Sequence, residues 1–420
     1  MKRVSFFGLL FCLSYVSLAQ DLTFNKDIAP IIHTNCTPCH RPGEVGPFSL
    51  ITYEDVAKRS KFIRHVTQTR YMPPWKADPE FQHFQNERLL TQQEIDLIAS
   101  WIDAGAPEGK KRNKPSPPEF QQNSQMRADP DLVLTMHEPF DIPPTATEEF
   151  RFFSLPTNLP EDVYLKAIEF RPGNRQYVHH SRIMLDTTNL IRGIDGLSEL
   201  DPKVQEFYKI PLAEEFLYGW VPGNMPFIYP ENTGKLLKKN SDLILNIHYA
   251  PSGKEAQDQS SINLYFTDEP IEKEVKIMTL RENDITNQPF YLEAETQPTF
   301  YMRTAPLEQP INVISVLPHM HTLGKSFRAF AITPAGDLVP FVKIDDWDFN
   351  WQSTYVFEEL LNVPAGSVIY AEATYDNTIN NPENPNYPPK DVTYGWNTTD
   401  EMMNFIIYYV EAEVNNTVKK

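Results

Sequence analysis

The sequence predicts a multidomain chain in which a small all-α unit precedes two all-β sandwiches. Three observations carry this. Helix signals concentrate before residue 110, whereas beyond residue 130 the chain shows short β-branched and aromatic runs broken by Pro, Gly, Asn and Asp. Thirty-seven prolines against 16 glycines suit loop-rich β structure better than long helices. A chain of 420 residues with 41% hydrophobic residues has the length and apolar content for several packed cores.

Taken in order, residues 1–20 read as a signal peptide. Lys2 and Arg3 precede an apolar run from Val4 to Val16, and Ser17-Leu18-Ala19 offers a small-residue cleavage context. The run is too short to span a bilayer, so the expectation is an exported protein without a membrane span, most naturally in a bacterial periplasm. Bulky Phe11 before Cys12 fits lipoprotein cleavage poorly. Residues 21–109 form the helical unit, 110–130 a polar, proline-rich linker, and 131–285 and 286–420 the two sandwiches. In the helical unit Ile28, Ile31 and Ile32 mark a helix over Asp27 to Asn35. Thr91-Gln92-Gln93-Glu94 is a capping box, followed by Ile95, Ile98, Ala99 and Ile102 on one face and stopped by Gly105. Strands are expected at Tyr164–Phe170, Asp242–Tyr249, Ile311–Leu317, Ser367–Tyr375 and Asn404–Val410.

Charge excludes some functions. Fifty-six acidic residues face 38 basic ones, a formal net charge of −18, which argues against nucleic acid or an anionic membrane as partner. No Gly-x-Ser-x-Gly elbow, phosphate-binding glycine loop or Rossmann fingerprint occurs.

Two of the three cysteines stand in Cys36-Thr37-Pro38-Cys39-His40. Two thiols at this spacing can each form a thioether to a haem vinyl group, with His40 placed to ligate the iron. A redox dithiol would need a βαβ setting, and a zinc site a second pair, and neither is present in the sequence. With its flanking helices the segment 22–109 resembles a small class I cytochrome c. That resemblance implies a covalent haem c held by Cys36, Cys39 and His40, with a distal ligand on the intervening loop. Met72 in Tyr71-Met72-Pro73-Pro74-Trp75 is the candidate, with Trp75 covering the haem; His65 and His83 are the alternatives.

In the β half, histidines gather as His179-His180, His248 and His319-x-His321, with His137 alone. Strand alternation puts Leu317, His319 and His321 on one face, a spacing that can chelate one metal. Adjacent His179 and His180 can share an ion only at a strand end or bulge. The segment Asp345–Trp351 is an acidic aromatic cluster that could line a ligand surface or bind calcium, but it reads first as a solvated loop with its tryptophans packed inward.

The series His179-His180, Gly219-Trp220-Val221-Pro222, Asn246-Ile247-His248-Tyr249, His319-Met320-His321-Thr322-Leu323-Gly324-Lys325 and Thr399-Asp400-Glu401-Met402 resembles the copper type II, ascorbate-dependent monooxygenases over residues 130–415. The resemblance implies two jelly-roll-like sandwiches with a copper each, facing one another across a solvent-filled gap. It implies an electron-storage copper on His179, His180 and His248, and an oxygen-binding copper on His319, His321 and Met402. Met403 is the alternative to Met402, which shares a strand face with Asn404, whereas Met403 sides with Phe405 and Ile407. The implied reaction is hydroxylation of an aliphatic C–H of a small molecule by O₂, with an ascorbate-like reductant or a redox protein as external donor. Leu317 and Ile406 occupy the positions where peptide-amidating relatives hold the substrate's carboxylate terminus, so a glycine-extended peptide is not expected. The alternatives are a non-catalytic periplasmic electron-transfer or copper-binding protein, and a cytochrome fused to a binding module.

Overall fold

The computed structural model describes residues 22–413, apart from 86, 121–123, 127, 146 and 208–214. The expected signal segment and Cys12 lie outside the described residues.

Four helices build the N-terminal unit: α1 (Ala29–Asn35), α2 (Tyr53–Ala57), α3 (Ser60–Gln68) and α4 (Gln92–Asp103). The capping box read at Thr91 is present, with Thr91 and Glu94 satisfying each other's backbone N–H groups, and Gly105 ends α4 at φ +86°. A second box at Thr52 and Asp55 opens α2. Phe24, Ile28, Ile32, Val56, Ile63, Ile98 and Trp101 form the core of this unit.

The chain then departs from expectation. Between α3 and α4 an arm, residues 73–89 apart from 86, leaves the helices and packs into the C-terminal sandwich, and Leu90 returns to the helical core. Trp75, expected to cover a haem, instead sets its ring edge-on to Tyr355 at 5.2 Å and belongs with Ala77 and Phe84 to that sandwich's core. Main-chain bonds Asp78 N–H to Lys343 O (2.8 Å) and Gln85 N–H to Val356 O (2.7 Å) fix the arm in place. Large aromatic side chains without helical partners gain most by burial against a sheet.

Eight main strands build the first sandwich: β1 (Leu132–Thr135), β2 (Glu149–Pro156), β3 (Val163–Arg171), β4 (Val178–Asp186), β5 (Glu215–Trp220), β6 (Thr233–Leu237), β7 (Asp242–Tyr249) and β8 (Ser261–Thr267). They pair antiparallel in the orders β1-β8-β3-β6 and β2-β7-β4-β5. Side chains of both sheets, such as Ile168, Phe170, Leu245 and Ile247, share one core. The second sandwich comprises β9 (Lys276–Leu280), β10 (Thr299–Arg303), β11 (Ile311–His319), β12 (Gly324–Ile332), β13 (Leu338–Ile344), β14 (Tyr355–Val363), β15 (Val368–Tyr375) and β16 (Asn404–Glu411). Its sheets are β9-β16-β11-β14 and β10-β15-β12-β13. Because β9 pairs with β16, this sandwich begins upstream of residue 286.

The central strands β16 and β11 of the β9-β16-β11-β14 sheet are buried on both faces. Phe405 and Ile407 of β16 point into their own core, while Tyr408 and Val410 join the core of the first sandwich. The Tyr408 hydroxyl donates to Leu217 O at 3.3 Å. The end of the expected linker is anchored as well, since Ser124 is buried against Glu169 (3.0 Å) and Tyr265 (2.8 Å). Among the described residues no helix is long and apolar enough to cross a membrane.

Candidate metal centres and their shared cavity

The register of β4 on β7 shifts between Val178 and His180, so His179 is the extra residue of a bulge and His180 lies directly opposite His248. This is the irregularity that two adjacent histidines need in order to face one point. His179 Nδ1 lies 3.3 Å from His180 Nδ1, and His248 Nδ1 lies 3.2 Å from the same atom. The ligand atoms of all three fall within 4.8 Å of one another. Three lone-pair nitrogens pressed together this closely repel unless a proton or a cation sits among them. Burial pushes His179 down to about 4 and His180 well below the usual imidazole range, which disfavours the proton. A borderline metal ion suits this donor set. On the far side of the ring, Glu148 Oε2 is 3.5 Å from His248 Nε2, as a carboxylate orienting a metal-binding imidazole would be.

The second group sits where β11 ends and β16 begins. His319 pairs with Asn404 and Leu317 with Ile406 across these strands. Leu317, His319, His321, Met402, Asn404 and Ile406 line one cavity of about 110 Å³, whereas Met403 lies in the core with Phe405 and Ile407. His319 Nδ1 donates to Gln352 Oε1 (2.5 Å) and His321 Nδ1 donates to Asp400 O (3.0 Å). These bonds leave both Nε2 lone pairs available. Burial holds His319 at about 3 and His321 at about 4, so both are neutral at ordinary pH. Asn404 Nδ2 donates to the Met402 sulfur at 3.3 Å. Two imidazoles and a thioether are a donor set that favours Cu(I).

Glu401 ties the two strands together. Its carboxylate is fully buried and accepts from His321 N–H (2.9 Å), Leu323 N–H (2.7 Å) and Met402 N–H (3.0 Å). Burial pushes it up to about 8, against the pull of those N–H groups.

The loop Asp345–Gln352 exposes Asp345, Asp346 and Asn350 and turns Trp347 inward, as expected, and it also reaches both histidine groups. The ring of Phe349 lies 5.3 Å from that of His179 and 5.8 Å from that of His321, touching both groups. Trp347 Nε1 donates to His321 O (3.2 Å), and Gln352 holds His319. The loop thus straps the two groups together, and an aromatic ring stands where an open gap was expected. From the helical side, Lys76 pairs with Asp346 (3.0 Å) and Asp348 (3.8 Å) of this strap. Loop residues of this kind carry no periodicity in sequence, and only the fold brings them to the site.

His180 lines the same cavity as the second group. In copper-free protein the four low imidazoles of His179, His180, His319 and His321 take up protons on unfolding as pH falls from about 6.5 towards 4. The unfolded chain then binds more protons than the folded one, so stability drops across that window, by an amount of order 3 kcal/mol for His179 or His321 once pH is below 4. Thermal unfolding of copper-free protein between pH 7.5 and 4.5 reads this directly. A melting temperature that does not fall, or a fall unchanged in His179→Asn, contradicts it.

In the helical unit Cys36, Cys39 and His40 form one turn after α1, with His40 N–H bonded to Cys36 O at 2.8 Å. Both thiols are free, and burial pushes Cys36 up to about 12 and raises Cys39, which is unlike a reactive dithiol. His40 Nδ1 donates to Phe48 O (3.1 Å), leaving Nε2 for a ligand. A Cβ on Gly46 would approach Cys39 O and His40 Nδ1 to 2.7 Å, so only glycine lets the following loop close over the turn. Thioether attachment and axial imidazole ligation both fit this turn. Met72 is half-buried where the chain leaves α3, with its N–H on Val66 O (3.0 Å), and is not part of the helical core.

Two histidine groups held by paired sandwiches around one apolar cavity are the layout of a β-sandwich metalloprotein. Residues 276–419 match the family model described as copper type II ascorbate-dependent monooxygenase, C-terminal domain. That segment carries His319, His321 and Met402, and the match supports copper and monooxygenase chemistry for it. Comparison with curated proteins finds no match. Solved structures with partial likeness include the major capsid protein P2 from bacteriophage PM2 (10% identity, TM-score 0.29, covering 68% of this chain and 98% of that one). The PBSX exported protein XepA is another (6% identity, TM-score 0.18, 58% and 86%). Likeness at this level bears on neither fold nor function.

Proposed function

We propose that this chain is an exported copper-dependent monooxygenase that hydroxylates an aliphatic C–H of a small molecule. The observation that carries the reading is the convergence of His180 and the His319–His321–Met402 group on one apolar cavity, within and beside the segment that matches the monooxygenase family. His179, His180 and His248 would hold one copper, and His319, His321 and Met402 the other. Bound copper would supply one-electron redox chemistry and activation of O₂. The protein's part is to keep the imidazoles neutral by burial, to orient them through Glu148, Gln352 and the Asp400 carbonyl, and to exclude water with apolar walls. In the overall balance one oxygen atom enters the C–H bond, the other leaves as water, and two electrons and two protons are taken up.

A haem c would be held by Cys36, Cys39 and His40, with Met72 the candidate further ligand, and would supply one-electron transfer from an ascorbate-like reductant or a redox protein. Arg88, on the arm, lies close enough to Cys39 for its charge to act there, which supports a direct route. Its guanidinium donates to Gly223 O (2.7 Å) in the first sandwich and to Ser353 Oγ (2.8 Å) in the second. Ser353 adjoins Gln352, which holds His319.

Copper analysis of the full chain should give two ions per molecule, and turnover under ¹⁸O₂ should place one labelled atom in the product. Copper well below two, or product without label, would sink the reading. The haem assignment has its own check. Acid–acetone extraction should leave haem on the wild type and release it from Cys36→Ser/Cys39→Ser, and extraction from the wild type contradicts covalent attachment. Reoxidation of reduced haem by O₂ should be fast only in copper-loaded protein, and equal rates without copper rule out this route.

A further inference from the structure

The cavity shared by the two histidine groups has an unbalanced charge. Its apolar wall includes Phe150, Phe216, Trp220, Val221, Leu317 and Ile406. Among its described lining residues Arg182 is the one arginine or lysine, and there is no aspartate or glutamate. Arg182 follows His180 by two residues on β4, so alternation turns it to the same side of the sheet. Its Nε and Nη2 donate to Asn246 Oδ1 at 3.0 and 2.8 Å, and its guanidinium lies over the Trp396 ring at 4.6 Å. Asn246 is itself buried and fixed by its Nδ2 donating to Arg151 O (3.2 Å).

These contacts orient the guanidinium without neutralising it, because an amide and an aromatic face carry no net charge. Among the described residues no carboxylate pairs with it. A cation held rigid in an apolar cavity disfavours a cationic ligand and favours an anion, and the planar fork matches a carboxylate.

We propose that Arg182 anchors the carboxylate of the substrate, an acid whose aliphatic or aryl end then reaches His319, His321 and Met402. This names the substrate class and the specificity-determining residue, and it rests on the monooxygenase reading. The cation comes from the first sandwich and supplies what Leu317 and Ile406 of the second cannot.

The test uses the full chain and two probes of one shape, hexanoate and the neutral hexanamide, titrated calorimetrically into copper-free and copper-loaded protein. Copper-free wild type should bind hexanoate at least about tenfold more tightly than hexanamide. Arg182→Met should abolish that preference and leave hexanamide affinity within about twofold. Arg182→Gln, also neutral but polar, decides the matter in the same way should the methionine variant not fold. Equal binding of the two probes by wild type, no binding of hexanoate, or a preference that survives in both variants overturns the proposal. The two readings fail separately. A chain that takes up no copper yet keeps an Arg182-dependent preference retains the anion site and loses the monooxygenase. A chain that takes up two coppers and binds the two probes equally retains the monooxygenase and loses the anion site.

Discussion

Met402→Ile is expected to lower turnover at least about a hundredfold while leaving the fold as it is. Loss even of a residue that only supports a metal ligand commonly costs ten- to a hundredfold, and here the thioether itself is removed. Isoleucine keeps the volume and apolar character of the site, so the stability cost should stay below about 1.5 kcal/mol. Met402 is 2% exposed and lines the cavity with Asn404, whose Nδ2 donates to its sulfur. Met403→Ile is the control. Its side chain is packed with Phe405 and Ile407 in the core, so it should move stability and not turnover. Product formation per copper, measured for both variants, checks this; an active Met402→Ile would remove that residue from the mechanism.

Glu401→Ala should be the most destabilising single change near the site. It strips the acceptor from the N–H groups of His321, Leu323 and Met402, all buried. Each orphaned donor costs about 1–3 kcal/mol, so the sum is several kcal/mol out of a typical 5–15. For a protein of this size the melting temperature should fall on the order of ten degrees. Turnover should fall with it, because the same bonds set the backbone of His321 and of Met402. Glu401→Gln keeps one acceptor oxygen and should lie between the two. Thermal melts of the copper-free proteins test this, and a melting temperature unchanged in Glu401→Ala refutes the tie.

Much of the fold was legible because periodic burial writes itself into sequence. The strand read at Asp242–Tyr249 is observed over those residues, and the alternation of Met402, Asn404 and Ile406 against Met403, Phe405 and Ile407 separates cavity from core. The Thr91 cap was visible because capping depends on side chains three positions apart. The demand that His179 and His180 sit on a bulge followed from strand geometry alone. What escaped notice depends on contacts between distant segments. Phe349 and Gln352 lie in a loop without a period, and nothing local shows that they touch His179, His321 and His319. Arg182 was within reach, since it stands two residues from His180 on a strand whose alternation was known. Trp75 was expected over a haem because its partner in the fold, Tyr355, stands far later in the chain, as Phe357 does from Phe84.

That separation bears on how the molecule assembles. The arm is synthesised early, yet the β14 residues that cover Trp75 and Phe84 arrive near the end of the chain. Until then two large aromatic rings lack their cover, and the C-terminal core lacks two of its members. Contacts of such long range form late and slowly, and surfaces that wait for them are where a nascent chain aggregates. A fragment that begins at residue 131 would carry the defect permanently, so the last sandwich is completed by the first part of the chain to be made.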